Sequence, residues 1–222
     1  MGSLEMNPAS SRRTQPHSLR AKVRAVKAEV ILAAAEEVFA KEGILKARME
    51  TIALKAGMAV GTLYNFFDDR NALISALVEA RSDGLCAEIT AALDAAGEVP
   101  FAQQVQVYFD ASLAHVEQHG RFWVELMRAN SASGRKDLKP SRTREQLFAV
   151  AQRVVAAGFA QKVLKPEGAG VYAALLVGMM RSVLEHTAAG HACLLNRKPG
   201  APEKLSETSR LLTDFFLHGA LH

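Results

Sequence analysis

Arg48 to Leu73 reads RMETIALKAGMAVGTLYNFFDDRNAL, and its polar residues are spaced for contact with nucleic acid. Thr62, Tyr64 and Asn65 would share the outer side of one short helix, with Arg48 and Arg70 adding positive charge on either side. Such groups suit a duplex: a threonine hydroxyl can bond a base edge or a phosphate, and tyrosine and asparagine donate to phosphate oxygens. Gly61 would let the helix backbone come close to DNA, and Val60 could touch a thymine methyl. Arg48, Met49, Val60, Gly61, Thr62, Tyr64, Asn65 and Arg70 are therefore the candidate DNA-binding residues.

Positioning these groups takes two short helices and a turn. Ile52, Ala53 and Ala56 give the first helix one apolar side, and Gly57 stands where a helix end favours a residue tolerant of positive φ. A second helix starts near Ala59, which offers it no side-chain cap, and Leu63 and Phe67 would pack inward one turn apart. Asp68 and Asp69 then cap a third helix carrying Arg70 at its start. Upstream, Val26, Val30, Ala34, Val38 and Phe39 recur at helical spacing from about Val23 to Lys41, and Gly43 ends that helix. It would pack over the two short helices as a three-helix unit whose helix-turn-helix enters a major groove.

Ile52, Ala53, Ala56, Gly57, Gly61, Thr62, Leu63, Tyr64, Phe67, Asp69, Arg70 and Leu73 together resemble the DNA-binding signature of the TetR family of transcriptional regulators. Ala59 replaces the serine or proline usual at the start of the family's recognition helix, Val60 an often basic or polar residue, and Arg48 the threonine or serine usual before the first helix. The resemblance covers about residues 26 to 75. It implies an all-α chain with an N-terminal three-helix helix-turn-helix domain and a C-terminal helical ligand-binding and dimerisation domain. It further implies a repressor that leaves a palindromic double-stranded DNA operator when a small, mainly apolar effector binds, and a homodimer made through the last two long helices.

Composition agrees with an all-α chain. Of 222 residues 49% are hydrophobic but only 6% aromatic, so alanine and leucine carry the apolar content and favour helices over strands. The net charge of +4 is modest, yet Arg12, Arg13, Arg20, Lys22, Arg24 and Lys27 gather at the start against Glu5 alone. Residues 1–21, rich in Ser, Pro and Arg, read as a flexible basic arm, with 22–72 as the DNA-binding domain and 73–222 as the second domain. Cys86 and Cys193 are isolated and fit a reducing, cytoplasmic setting. The cations after Arg12 and Arg13 interrupt any export signal, and the longest apolar run, Val171 to Met180, is too short to span a bilayer.

Beyond Arg70 a long helix is expected to about Ala96, ended by Gly97 and Pro100. Further helices follow over Phe101–His119, Arg121–Ala129, Arg142–Phe159, Gly168–Ala189 and Glu203–Leu217, with polar loops SASGRKDLKPS and NRKPGAP between some of them. The last long helices are apolar on more than one side, which a second copy of the chain would cover. Tyr108, Phe109, Phe122, Trp123, Met127, Met179 and Arg181 form a candidate effector-binding set, with Arg128 and Glu185 as further polar anchors.

Catalysis is not expected. His115 and His119 stand four apart on one helix as zinc ligands can, but without the H-E-x-x-H order, and His119 beside Gly120 reads as a helix end. Gly168, Gly170 and Ala173 mimic a dinucleotide fingerprint without the strand that must precede it. No cofactor and no metal are expected. The competing reading is an all-α small-molecule-binding or interaction protein without DNA binding, which Ala59, Val60 and Asp68 favour and Arg48, Thr62, Tyr64 and Arg70 oppose.

Overall fold

The structure, a computed structural model, describes residues 16–133, 141–188 and 203–220. The described residues form helices and turns, without a strand. In chain order the helices are α1 (Pro16–Glu42), α2 (Met49–Lys55), α3 (Val60–Tyr64), α4 (Arg70–Ala96), α5 (Phe101–Ser133), α6 (Ser141–Ala160), α7 (Ala169–Ala188) and α8 (Glu203–Ala220), with a short 3-10 turn, Pro166–Gly168, before α7. Residues 16–21, part of the stretch expected as a basic arm, are the first turns of α1. Residues 1–15, the polar stretch 134–140 and the loop NRKPGAP lie outside the described residues.

Two apolar clusters organise the helices. Ile31, Ala35 and Phe39 of α1, Ile52 and Ala53 of α2 and Leu63 of α3 share one core with Leu73, Ile74, Leu77 and Val78 of α4. α5 completes it: Phe122, Trp123 and Leu126 enter the same cluster, and the Phe122 ring stacks on Phe39 with centroids 6.3 Å apart. Each fully buried phenylalanine contributes roughly 1.5–3 kcal/mol of transfer free energy. The expected boundary between residues 72 and 73 thus falls in the first turn of α4, and the apolar core continues across it.

That shared core explains why α5 is one helix where the sequence suggests two. Gly120 costs a helix interior about 1 kcal/mol. Phe122, Trp123 and Leu126, all buried beyond it, outweigh that cost by packing against α1 and α4. His119 is therefore inside α5, not at a helix end.

The second cluster joins Ile89 and Leu93 of α4, Tyr108, Phe109 and Leu113 of α5, Val154 of α6, Leu176 of α7 and Phe216 of α8. Gly158 is required where α6 ends, because a Cβ there would lie 2.6 Å from Leu164 Cδ1 and 2.8 Å from Phe101. Gln161, just beyond α6, accepts from the Phe101 amide at 2.8 Å and donates to the Val99 carbonyl at 2.9 Å. This ties the end of α6 to the turn between α4 and α5.

Candidate nucleic-acid interface

Local stereochemistry sets the α2–α3 unit. Gly57 has φ +68°, a left-handed conformation that ends α2 and turns the chain toward α3. Ala59 is extended at the α3 N-cap and makes no side-chain cap, as its methyl dictates. Asp69, in contrast, caps α4 by accepting from the Ala72 amide at 2.7 Å. Leu63 is fully buried and fixes which side of α3 faces inward.

On the other side of α3, Val60, Gly61, Tyr64 and Asn65 are exposed and Thr62 is half-buried. Tyr64 is 45% exposed, and a Cβ added to Gly61 would meet nothing within 4 Å, so the helix presents an open face there. Arg48 is exposed at the N-cap of α2. Two other candidates stand elsewhere. Met49 is buried in the first core. Arg70 turns inward, its Nη1 donating to the Leu45 carbonyl at 3.0 Å and the Ala47 carbonyl at 3.2 Å.

Alongside this face runs the cationic first half of α1, where Arg20, Lys22, Arg24 and Lys27 are all exposed. The Arg24 guanidinium carbon lies 5.1 Å from the Phe66 ring centroid, a cation–π contact that sets this half of α1 beside the end of α3. The sequence alone places Arg20 in a flexible arm and Lys22, Arg24 and Lys27 beside it. Two features have no local signal: Lys55 pairs with Glu37 at 2.6 Å, and Arg81 pairs with both Glu29 and Glu36. The partners are far apart in sequence, and only packing brings them together.

The candidate effector residues divide between the two cores. Phe122 and Trp123 belong to the first, Tyr108 and Phe109 to the second, and Met179 packs against the second half-buried. Met127 is half-buried on α5. Arg181 is exposed and pairs with Glu185 at 2.6 Å, and Arg128 pairs with Glu125 at 2.7 Å. Burial, and then the Cys86 thiol, push the Tyr108 hydroxyl well above the ordinary phenol range. Among the described residues, no group of three or more His, Cys, Asp or Glu side chains is gathered as metal ligands would be. Nor is any described helix long and apolar enough to cross a membrane.

Residues 31–77, which contain α2, α3 and the start of α4, match the model of the bacterial regulatory proteins, tetR family. The likeness to the tetR family is thus carried by these residues. A 93-residue segment is 36% identical to the uncharacterized HTH-type transcriptional regulator YvdT of Bacillus subtilis (strain 168), covering 42% of this chain and 47% of that protein. The match thus spans about half the length of that relative.

The whole fold is shared more widely. The fatty acid degradation regulator FadR from Bacillus halodurans superposes with a TM-score of 0.71 at 14% identity, over 86% of this chain and 94% of that one. The TetR family transcriptional regulator PfmR from Thermus thermophilus gives 0.62 at 17% identity, over 85% and 97%. FadR from Bacillus subtilis, solved in complex with stearoyl-CoA, gives 0.65 at 13% identity, over 87% and 99%. At these identities the likeness is one of fold.

Proposed function

We propose that the chain is a DNA-binding transcriptional regulator, a repressor released from a palindromic operator by a small, mainly apolar ligand. The observation that carries this reading is α3 itself: Leu63 anchors it in the core while Val60, Gly61, Tyr64 and Asn65 stand exposed, flanked by the cationic half of α1. A short helix held this way can enter a major groove while neighbouring cations meet phosphates. Arg48, Val60, Gly61, Thr62, Tyr64 and Asn65 are the proposed groove and phosphate contacts, and Arg70 supports them from behind.

The operator is palindromic because the regulator is a homodimer. Val171 and Leu175 of α7 and Leu211 and Phe215 of α8 are exposed large apolar residues, and Phe215 is 76% exposed. A second copy laying its own α7 and α8 against them would remove this surface from water. The effector acts on the second domain, around the core that holds Tyr108, Phe109 and Met179. Such a regulator works in the cytoplasm, where the DNA is, and carries no catalytic duty. Selection of bound duplexes from a random-sequence pool at low salt tests the reading. An inverted-repeat consensus is expected, and recovery of no preferred sequence would overturn it.

A further inference from the structure

One cluster of ionisable side chains joins α1 of the DNA-binding unit to α4 and α5. Glu36 of α1 accepts from Arg81 Nε of α4 at 2.7 Å with one carboxylate oxygen and from His119 Nδ1 of α5 at 2.6 Å with the other. Arg81 reaches back to Glu29 of α1 at 3.0 Å. One turn before His119, His115 donates from Nδ1 to Glu88 of α4 at 2.9 Å, and the two imidazole centroids are 4.6 Å apart. Burial pulls the Arg81 pKa down, but hydrogen bonds to Glu36 and Glu29 outweigh it and hold the guanidinium charged.

An ionised carboxylate only accepts, so the Nδ1 of each histidine carries a proton. His115 is 1% exposed, and its Nε2 is buried with no hydrogen-bond partner among the described residues. A second proton there would put a cation where water cannot solvate it, beside another imidazole. Facing His115 are Glu88 from α4, Glu36 from α1 and His119 from its own helix. Burial acts more strongly than the carboxylates and lowers the His115 pKa below its ordinary 6.5, so the bond to Glu88 joins a neutral imidazole to a carboxylate.

We propose that Glu36, Arg81, His119 and His115 form a proton-operated latch that holds α1 against α4 and α5, and that its release on acidification lowers DNA affinity. The proposal rests on the DNA-binding reading above. Glu36, Arg81 and His119 are positioning residues, since α1 carries α2 and α3 through the first core. Because the folded pKa of His115 is lowered, the stability its neutral form contributes is complete above about pH 6.5 and is lost as pH falls from there. Once α1 is loose, binding must re-order it and affinity drops. General electrostatics has the opposite sign, because added positive charge tightens binding to DNA.

The test compares the full-length protein with a His115→Asn/His119→Asn double variant, whose amide N–H groups replace Nδ1–H but take up no proton. Affinity for a duplex recovered from the random-sequence selection is measured at pH 7.5, 6.5 and 5.5 at constant ionic strength, together with melting of the DNA-free protein. Wild-type affinity is expected to fall by about fivefold or more across this range, the low end of ordinary coupling between sites. The variant should bind equally or more tightly in acid, and its melting temperature should drop less. Wild-type binding that tightens on acidification, or the same pH profile in both proteins, overturns the latch.

Should wild type bind no duplex at pH 7.5, the DNA-binding reading fails, and melting alone decides the latch: equal pH slopes would sink it. Should the double variant fail to fold, NMR of the wild-type histidine ring protons decides. A His115 that titrates below 6.5 supports the latch, and one that titrates above 6.5 overturns it.

Discussion

The guanidinium of Arg70, at the first residue of α4, donates to the Leu45 carbonyl at 3.0 Å. The same nitrogen reaches Ala47 at 3.2 Å, so α4 holds the chain that leads into α2. Arg70→Met keeps the stem and removes both hydrogen bonds. It should lower stability by about 1–2 kcal/mol, at the lower side of hydrogen bonds to charged groups because the site is partly exposed. DNA affinity should fall while the slope of log affinity against log salt stays unchanged. A slope reduced by about 0.9 would instead make Arg70 a phosphate contact.

Tyr64 and Leu63 are neighbours with opposite duties. Tyr64→Phe removes one hydroxyl from the exposed face of α3, and the expected loss is roughly tenfold in duplex affinity, about one hydrogen bond, with the melting temperature unchanged. Leu63→Ala empties a fully buried site and should cost about 2–5 kcal/mol of stability. Titrations and melting curves on both variants separate reading from folding. Equal affinity of Tyr64→Phe and wild type would remove Tyr64 from the interface.

Signals carried by a few adjacent residues are legible in the sequence. Gly43, Gly57 and Gly97 end α1, α2 and α4 with positive φ, and Asp69 caps α4, as backbone chemistry near each position dictates. The expected break in α5 fails because Gly120 is a local signal, while the compensation comes from Phe39 on a distant helix. Met49 and Arg70 depart from expectation for the same reason. A residue's type does not say whether tertiary packing will bury it or engage it with distant carbonyls. The Glu36–Arg81–His119 cluster spans α1, α4 and α5, so no window of sequence contains it.

Phe215 offers the most direct test of dimerisation. A charge within the proposed α7–α8 interface would be buried against the second copy, so Phe215→Glu should shift sedimentation from dimer to monomer at micromolar concentration. Fold should persist, since the side chain is exposed in one protomer. Binding to an inverted repeat should weaken more than binding to a single half-site. An unchanged dimer would move the interface away from α8.

Burial, and next to it the charge of Asp83, push the Cys86 thiol up to about 11. At pH 7.4 almost none of it is thiolate, the form that reacts. Mass spectrometry after iodoacetamide treatment should show Cys86 alkylated far more slowly than a free peptide thiol, with the rate climbing steeply as pH approaches 11. Alkylation at peptide-like speed near neutrality would mean that the α4 face around Cys86 opens in solution.

The cationic half of α1 supplies its own internal control. At about 100° per residue, Arg20, Arg24 and Lys27 fall on one side of the helix and Lys22 on nearly the opposite one. Arg24 faces Phe66, next to α3, so its side of α1 is the one that would meet a phosphate backbone when α3 is in the groove. Arg20→Gln and Lys27→Gln should each weaken binding across all sequences and reduce the salt slope by about 0.9 if each cation neutralises one phosphate. Lys22→Gln should leave the slope nearly unchanged. Removing residues 1–15 takes away Arg12 and Arg13 and asks whether those arginines add contacts of their own. A slope that drops equally for Lys22, Arg20 and Lys27 would mean that α1 acts through net charge and touches no phosphate in a fixed geometry.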